Sequence, residues 1–185
     1  MSILLLSGSP SSPSRSTRLL HHVGDRLLER GQQILSVHVR DLPPQALLAA
    51  DYTDPELRAA SQLVAQADAI VIATPIYKAA YSGLLKAFLD ILPQDGLNGK
   101  LILPLATGGS QSHLLALDYA LRPVLASLSP RHILPSVYAT DAQVQWNEVQ
   151  GLLLDAPIQS RLHDGVNLLI DSLAFMRRQT TALAA

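Results

Sequence analysis

Short apolar runs alternate with amphipathic stretches along this chain, and that alternation permits few folds. Five segments read as buried strands, at residues 3–6, 34–39, 69–73, 101–106 and 133–139. The first, third and fourth are almost continuously apolar. A strand reads that way when helices cover both faces of its sheet. Each of the first four is followed by turn residues and then by apolar residues at helical spacing. Leu19, Leu20, Val23, Leu27 and Leu28 form one stripe on a helix starting near Ser16, with Gly31 as its stop. Asp54 and Pro55 are an N-cap and a first-turn proline for a second helix, whose stripe is Leu57, Ala60, Leu63, Val64 and Ala67. A third helix is predicted over about 82–91, ending before Pro93, a fourth over about 112–128 and a fifth over about 157–178. Pro123 falls inside the fourth, so a kink is expected there. Repeated strand–helix alternation predicts an α/β protein with an open, doubly wound parallel sheet and right-handed crossovers, one domain spanning 1–185. Residues 40–53 and 140–156 read as two long connections.

Charge narrows the function classes. Lys plus Arg number 14 against 15 Asp plus Glu, so the chain lacks the basic surplus that phosphate-backbone binding needs, and no nucleic-acid partner is expected. The chain has no cysteine, which removes disulfides, thiolate metal sites and a cysteine nucleophile together. The first apolar run stops at Ser7 without a basic start, unlike a secretory leader, and no window is long enough for a membrane helix. A cytoplasmic protein with no membrane partner is expected.

Ligands of open parallel sheets bind beyond the carboxyl ends of the strands, so the loops there matter most. After the first strand comes Ser7-Gly8-Ser9-Pro10-Ser11-Ser12-Pro13-Ser14-Arg15-Ser16-Thr17. Hydroxyls, one arginine and a helix N-terminus converge on a place suited to a phosphate. Gly8 is the loop's only glycine, so neither a Walker loop nor a dinucleotide fingerprint is present. After the third strand, Thr74-Pro75-Ile76-Tyr77-Lys78-Ala79-Ala80-Tyr81-Ser82-Gly83 reads as a semi-rigid ledge for a flat heteroaromatic ring, or as tyrosines covering the sheet end. After the fourth, Thr107-Gly108-Gly109-Ser110 lets backbone approach a ligand closely, or forms an ordinary turn. His21 and His22 are neighbours on one helix and point about 100° apart, so they do not share a metal ion. No metal site and no nucleophile or acid–base pair is expected.

Taken together, these loops resemble the NAD(P)H-dependent FMN reductase family, of flavodoxin-like fold. Residues 112–125, Ser-His-Leu-Leu-Ala-Leu-Asp-Tyr-Ala-Leu-Arg-Pro-Val-Leu, are similar to the alkanesulfonate-utilisation FMN reductases nearly residue for residue. The resemblance covers about 3–144. It implies a five-stranded sheet of order 2-1-3-4-5 with helices on both faces. It also implies hydride transfer from NADPH or NADH to FMN, with reduced FMN leaving for a separate FMNH2-dependent monooxygenase. Ser9, Ser14, Arg15, Ser16 and Thr17 would hold the FMN phosphate. Pro75, Ile76, Tyr77, Lys78 and Tyr81 would cradle the isoalloxazine and ribityl chain, and Thr107, Gly108, Gly109 and Ser110 would address the pyrimidine end. One departure stands out: the wider family often has Gly-Ser-x-Arg at the loop start, whereas here Ser11 takes that place and the arginine comes at Arg15.

Two further expectations follow. The fourth helix should be irregular near Tyr119, because Pro123 has no N–H for the Tyr119 carbonyl and the resembling reductases carry a π-bulge there at a subunit interface. The apolar width of the third and fourth helices, with the resemblance, implies a homo-oligomer, a tetramer. The rival activity on this scaffold is a quinone or azo-dye reductase that retains its FMN; an electron carrier like flavodoxin fits the near-neutral charge poorly.

Overall fold

The computed structural model describes residues 1–183. Strand β1 (Ser2–Ser7) leads through the serine-rich loop into α1 (Arg15–Glu29), and β2 (Gln33–His38) follows. A 3-10 turn and the short α2 (Pro44–Leu48) occupy the first long connection before α3 (Pro55–Gln66). Next come β3 (Ala69–Tyr77), β4 (Ala80–Tyr81), α4 (Gly83–Asp90) and β5 (Leu101–Gly108). A 3-10 turn, a π-helical segment (Leu117–Leu121) and α5 (Arg122–Ser127) form the fourth helical region. The chain closes with β6 (His132–Ile133), β7 (Val137–Thr140), β8 (Val144–Asn147), β9 (Gly151–Leu154) and α6 (Ala156–Leu183).

Strands β2, β1, β3 and β5 run parallel in that order, which is the expected 2-1-3-4 succession. The sheet has seven strands rather than five, and the difference lies at its edges. The expected fifth strand is split: β6 pairs with the start of β5 and β7 with its end. Between them lies Leu134-Pro135-Ser136, and Pro135 has no N–H to donate to a ladder. Arg122 places its guanidinium nitrogens 3.4 Å from the Ile133 and Leu134 carbonyls at this break. The other extra strand, β4, folds back antiparallel on β3. The second long connection is also more ordered than expected. It holds the β8–β9 hairpin, pinned to α1 by Arg18 lying 4.1 Å from the centre of the Trp146 ring.

Period-two alternation sorts the core. Ile3 and Leu5 of β1 face α1 and α6, packing with Leu19, Val23, Leu27, Ile158 and Leu162. Leu4 and Leu6 face the other layer, with Leu57, Val64, Phe88, Leu121 and Leu125. Each fully buried leucine of these stripes contributes about 1.5–3 kcal/mol of transfer free energy. Helices on both faces of a parallel sheet are what the near-continuous apolar strands required.

Lys100 ends the loop before β5 and is only 8% exposed. Its Nζ donates to the carbonyls of Ala65 and Ala67, each at 2.8 Å, at the C-terminal end of α3. A cation there satisfies orphan carbonyls and complements the helix dipole, while burial pushes the ammonium pKa down. Lys100→Met should therefore lower stability by about 1–3 kcal/mol in urea unfolding, the cost of leaving such carbonyls unpaired. An unchanged midpoint would remove Lys100 from the account of α3.

The fourth helical region is irregular where the sequence requires it. The N–H of Arg122 donates to the Leu117 carbonyl, an i→i+5 bond, within the π-helical turn. Pro123 follows directly, so the widened turn sits where the α-helical ladder would lack a donor. Tyr119 lies at its centre, 79% exposed.

Two histidines give the fold a pH dependence. His38 stands edge-on to His21, with ring centres 5.4 Å apart, and its Nδ1 is buried without a hydrogen-bond partner. Burial, then the charges of His21 and Arg40, holds the His38 pKa below its ordinary 6.5. Burial, then Arg26, does the same for His22. Their contribution to stability is complete above pH 6.5 and is lost as pH falls through the depressed folded values, because the unfolded chain binds protons first. The urea midpoint should fall on going from about pH 7.5 to pH 5.5, and less steeply in a His22→Asn/His38→Gln variant. Equal slopes in the two proteins would contradict this.

Candidate functional site at the strand carboxyl ends

The three loops singled out in the sequence emerge side by side, because β1, β3 and β5 are adjacent and parallel. Ser7 of β1 is level with Ala73 of β3, and Pro75 of β3 with Thr107 of β5. The crevice between β1 and β3 is the switch point, since the chain leaves β1 towards β2 on one side and returns to β3 on the other.

The serine-rich loop starts at Gly8, whose N–H donates to the Ala73 carbonyl at 2.8 Å. Ser9 is 1% exposed and its hydroxyl accepts from the Ser11 N–H. Ser14 is the N-cap of α1, accepting from the Thr17 N–H, and its hydroxyl lies 3.0 Å from that of Ser16. Ser16 is 1% exposed. Thr17 is also buried, and its hydroxyl pairs with Ser7 at 2.8 Å. Thr17 thus roots the loop on β1, while Ser9, Ser14 and Ser16 surround the helix N-terminus. Arg15 is half exposed and pairs with Asp141 at 3.6 Å. From the end of β2, Arg40 donates to the Ser11 carbonyl at 2.5 Å.

The ledge is a β-hairpin. Ile76 pairs with Tyr81 and Tyr77 with Ala80, leaving Lys78 and Ala79 as a two-residue turn. Both turn residues have positive φ, 49° and 64°, as a type I′ turn demands, although neither is glycine. Strained backbone of this kind is found at ligand clamps. Pro75 and Ile76 lie along the strand, Tyr77 is 49% exposed, and Tyr81 is half-buried with its phenol pKa pushed up by burial.

At β5, Thr107 and Gly108 are still strand residues, level with Ala139 and Thr140, so the backbone leaves the ladder only at Gly109. Open space surrounds the position of a Gly109 Cβ, whereas one on Gly108 would lie 2.5 Å from the Tyr138 hydroxyl. That hydroxyl donates to the Ser110 carbonyl at 2.6 Å. Burial, then the Asp141 charge, pushes the Tyr138 pKa up, so the phenol remains a donor.

Four contributors are missing from the sequence reading: Arg40, Ser82, Tyr138 and Asp141. The contacts that bring all four to the site are made with residues distant along the chain. Among the described residues there is no cluster of three or more metal-ligating side chains, and no helix is long and apolar enough to cross a membrane.

The donor set fits an FMN. Hydroxyls, helix N–H groups and one guanidinium suit a phosphate monoester, and no atom lies within 4 Å of the Gly109 Cβ position just beyond the carboxyl end of β5. Comparison with known proteins agrees. The family model for NADPH-dependent FMN reductase matches residues 1–145. An FMN reductase (NADPH) of Pseudomonas putida (strain KT2440) is 42% identical over 175 residues, which cover 94% of this chain and 89% of the relative. Among solved structures, an NADH:FMN oxidoreductase (EMOB) in its apo form superposes with a TM-score of 0.84 at 43% identity, covering 92% of this chain and 89% of that one. A flavodoxin from Streptococcus pneumonia TIGR4 shares the fold at 15% identity, with a TM-score of 0.64 over 92% of this chain and 98% of that one. The chain belongs to the NADPH-dependent FMN reductase family, on a flavodoxin-like fold.

Proposed function

We propose that this chain, as a cytoplasmic enzyme, treats FMN as an exchangeable substrate and hands reduced FMN to a separate FMNH2-dependent monooxygenase, in organosulfur (alkanesulfonate) assimilation. The family's reaction is hydride transfer from NAD(P)H to FMN; the nicotinamide and flavin rings supply that chemistry, and the protein supplies binding and orientation. Ser9, Ser14, Arg15 and Ser16 hold the phosphate, with Thr17 beneath them. Pro75, Ile76, Tyr77, Lys78 and Tyr81 form the ring seat, and Thr107, Gly108, Gly109 and Ser110 address the pyrimidine edge. The nicotinamide specificity is open to both forms, since similarly close relatives are named for NADPH and for NADH.

The observation that carries the release reading is the state of Arg15. It is the phosphate loop's one cation, and it is already paired at 3.6 Å with Asp141, both side chains about half exposed. A grip shared with an internal carboxylate suits a ligand that must leave. Steady-state NAD(P)H oxidation tests this. The rate of flavin-free protein should rise hyperbolically with added FMN and reduced FMN should be recoverable in solution. Stoichiometric FMN that survives purification, with no response to free FMN, would favour a retaining quinone or azo-dye reductase instead.

The same reading includes a tetramer. Leu114, Leu115 and Tyr119 are large apolar side chains exposed around the π-helical turn, by 41%, 50% and 79%. Light scattering should give four times the 19.9 kDa chain mass, and Tyr119→Ala should lower that mass or change flavin retention. A monomer at micromolar concentration would contradict it.

A further inference from the structure

Ser82 is tied to both halves of the proposed FMN site. It is 2% exposed and caps α4, where its hydroxyl accepts from the Leu85 N–H at 3.1 Å. The same hydroxyl donates to the Gly8 carbonyl at 2.5 Å, across 74 positions of sequence. Its backbone N–H donates to the Thr74 hydroxyl at 3.0 Å, and Thr74 is fully buried. Gly8 is the root of the phosphate loop, and Thr74 opens the ring ledge. The Gly8 peptide is therefore held from two sides, its N–H by Ala73 of β3 and its carbonyl by Ser82.

We propose that Ser82 is a positioning residue that fixes the span between the phosphate loop and the ring ledge, so that FMN engages both ends at once. This rests on the reading that the loop takes the FMN phosphate. A ligand anchored at two points gains from the second contact only when the two subsites are held at the spacing of the ligand. Ordering a loose loop on binding takes that gain away. Ser82 makes no contact with the reacting rings in this account; it acts through Gly8 and Thr74. Its loss should consequently weaken FMN, which reaches the phosphate loop, and spare riboflavin, which does not.

The test is a pair of titrations, FMN and riboflavin, with wild type, Ser82→Ala, Ser82→Thr and Ser82→Cys. Ser82→Ala should raise the FMN Kd roughly tenfold, the size of one lost buried hydrogen bond, and leave the riboflavin Kd within about twofold. The kcat at saturating FMN should stay near the wild-type value. Ser82→Thr keeps the hydroxyl and should restore the preference. Ser82→Cys keeps the volume with a weak donor and should fall between, which preserves the test if the alanine variant does not fold. Asp54→Ala is the control for general loss of a helix cap, because Asp54 caps α3 through the Glu56 and Leu57 N–H groups at 2.9 and 3.0 Å. It should lower Tm and keep the FMN-to-riboflavin ratio. Parallel weakening of both flavins in Ser82→Ala, or an equal change of ratio in Asp54→Ala, would overturn the role of Ser82. A wild type that binds both flavins equally would instead overturn the phosphate-loop reading, and this role with it.

Discussion

Gly8→Ala is expected to cost roughly 1–3 kcal/mol of stability and to weaken FMN binding by more than about tenfold. A Cβ at residue 8 would lie 2.6 Å from Leu85 Cβ and 3.1 Å from Leu85 Cγ. Leu85 is fully buried on α4, in the same apolar layer as Phe88, so its stem has nowhere to turn. Relief has to come from moving α4 or lifting the loop. Lifting the loop breaks the bonds that Gly8 makes with Ala73 and Ser82. Gly83→Ala is the contrasting case. Nothing lies within 4 Å of its Cβ position, and it opens α4, so it should be neutral or stabilise by up to about 1 kcal/mol. Urea unfolding and flavin titration of the two variants separate a packing requirement from a general intolerance of change. A Gly8→Ala protein with wild-type stability and FMN affinity would remove the close approach of loop and helix from the account.

The second large effect concerns Arg15. Arg15→Ala should weaken FMN by roughly 1.5–3 kcal/mol, the range for hydrogen bonds to charged groups, and leave riboflavin unchanged. A value near the lower end is expected, because the side chain is 53% exposed and salt screens it. Asp141→Asn should act in the opposite sense and tighten FMN, since the carboxylate competes with the phosphate for one guanidinium. Combined with Arg15→Ala, the asparagine substitution should lose that gain, and the non-additivity reports the coupling. If Asp141→Asn tightens FMN equally with and without Arg15, the two residues do not share the phosphate.

How much of this was legible depends on the range of the interactions. The first four strands, the first three helices and the N-cap at Asp54 follow from local patterns of two to four residues, although β3 runs on to Tyr77 through residues that read as a loop. The break in the fifth strand hinges on Pro135, which the apolar run around it obscures. The β8–β9 hairpin has strands of four residues each, and only Val144 of the first is fully buried, so alternation is too brief to register. At the site, the three loops were visible because glycine, proline and hydroxyl residues cluster there in sequence. Their braces were not. Ser82 reaches Gly8, Tyr138 reaches Ser110 and Arg40 reaches Ser11 only once parallel strands set those segments side by side. The π-helical turn is an intermediate case: Pro123 marks the missing donor, and the resemblance to the alkanesulfonate-utilisation reductases indicates how the helix responds.

In the proposed function the Ser9–Ser16 loop is a phosphate site within an exchangeable FMN site. Fluorescence titration of the flavin-free protein with FMN and with riboflavin, at one salt concentration, tests it most directly. FMN should bind about ten- to a hundredfold more tightly, the advantage of charge-assisted contacts to one phosphate. Equal affinity for the two flavins would contradict the assignment.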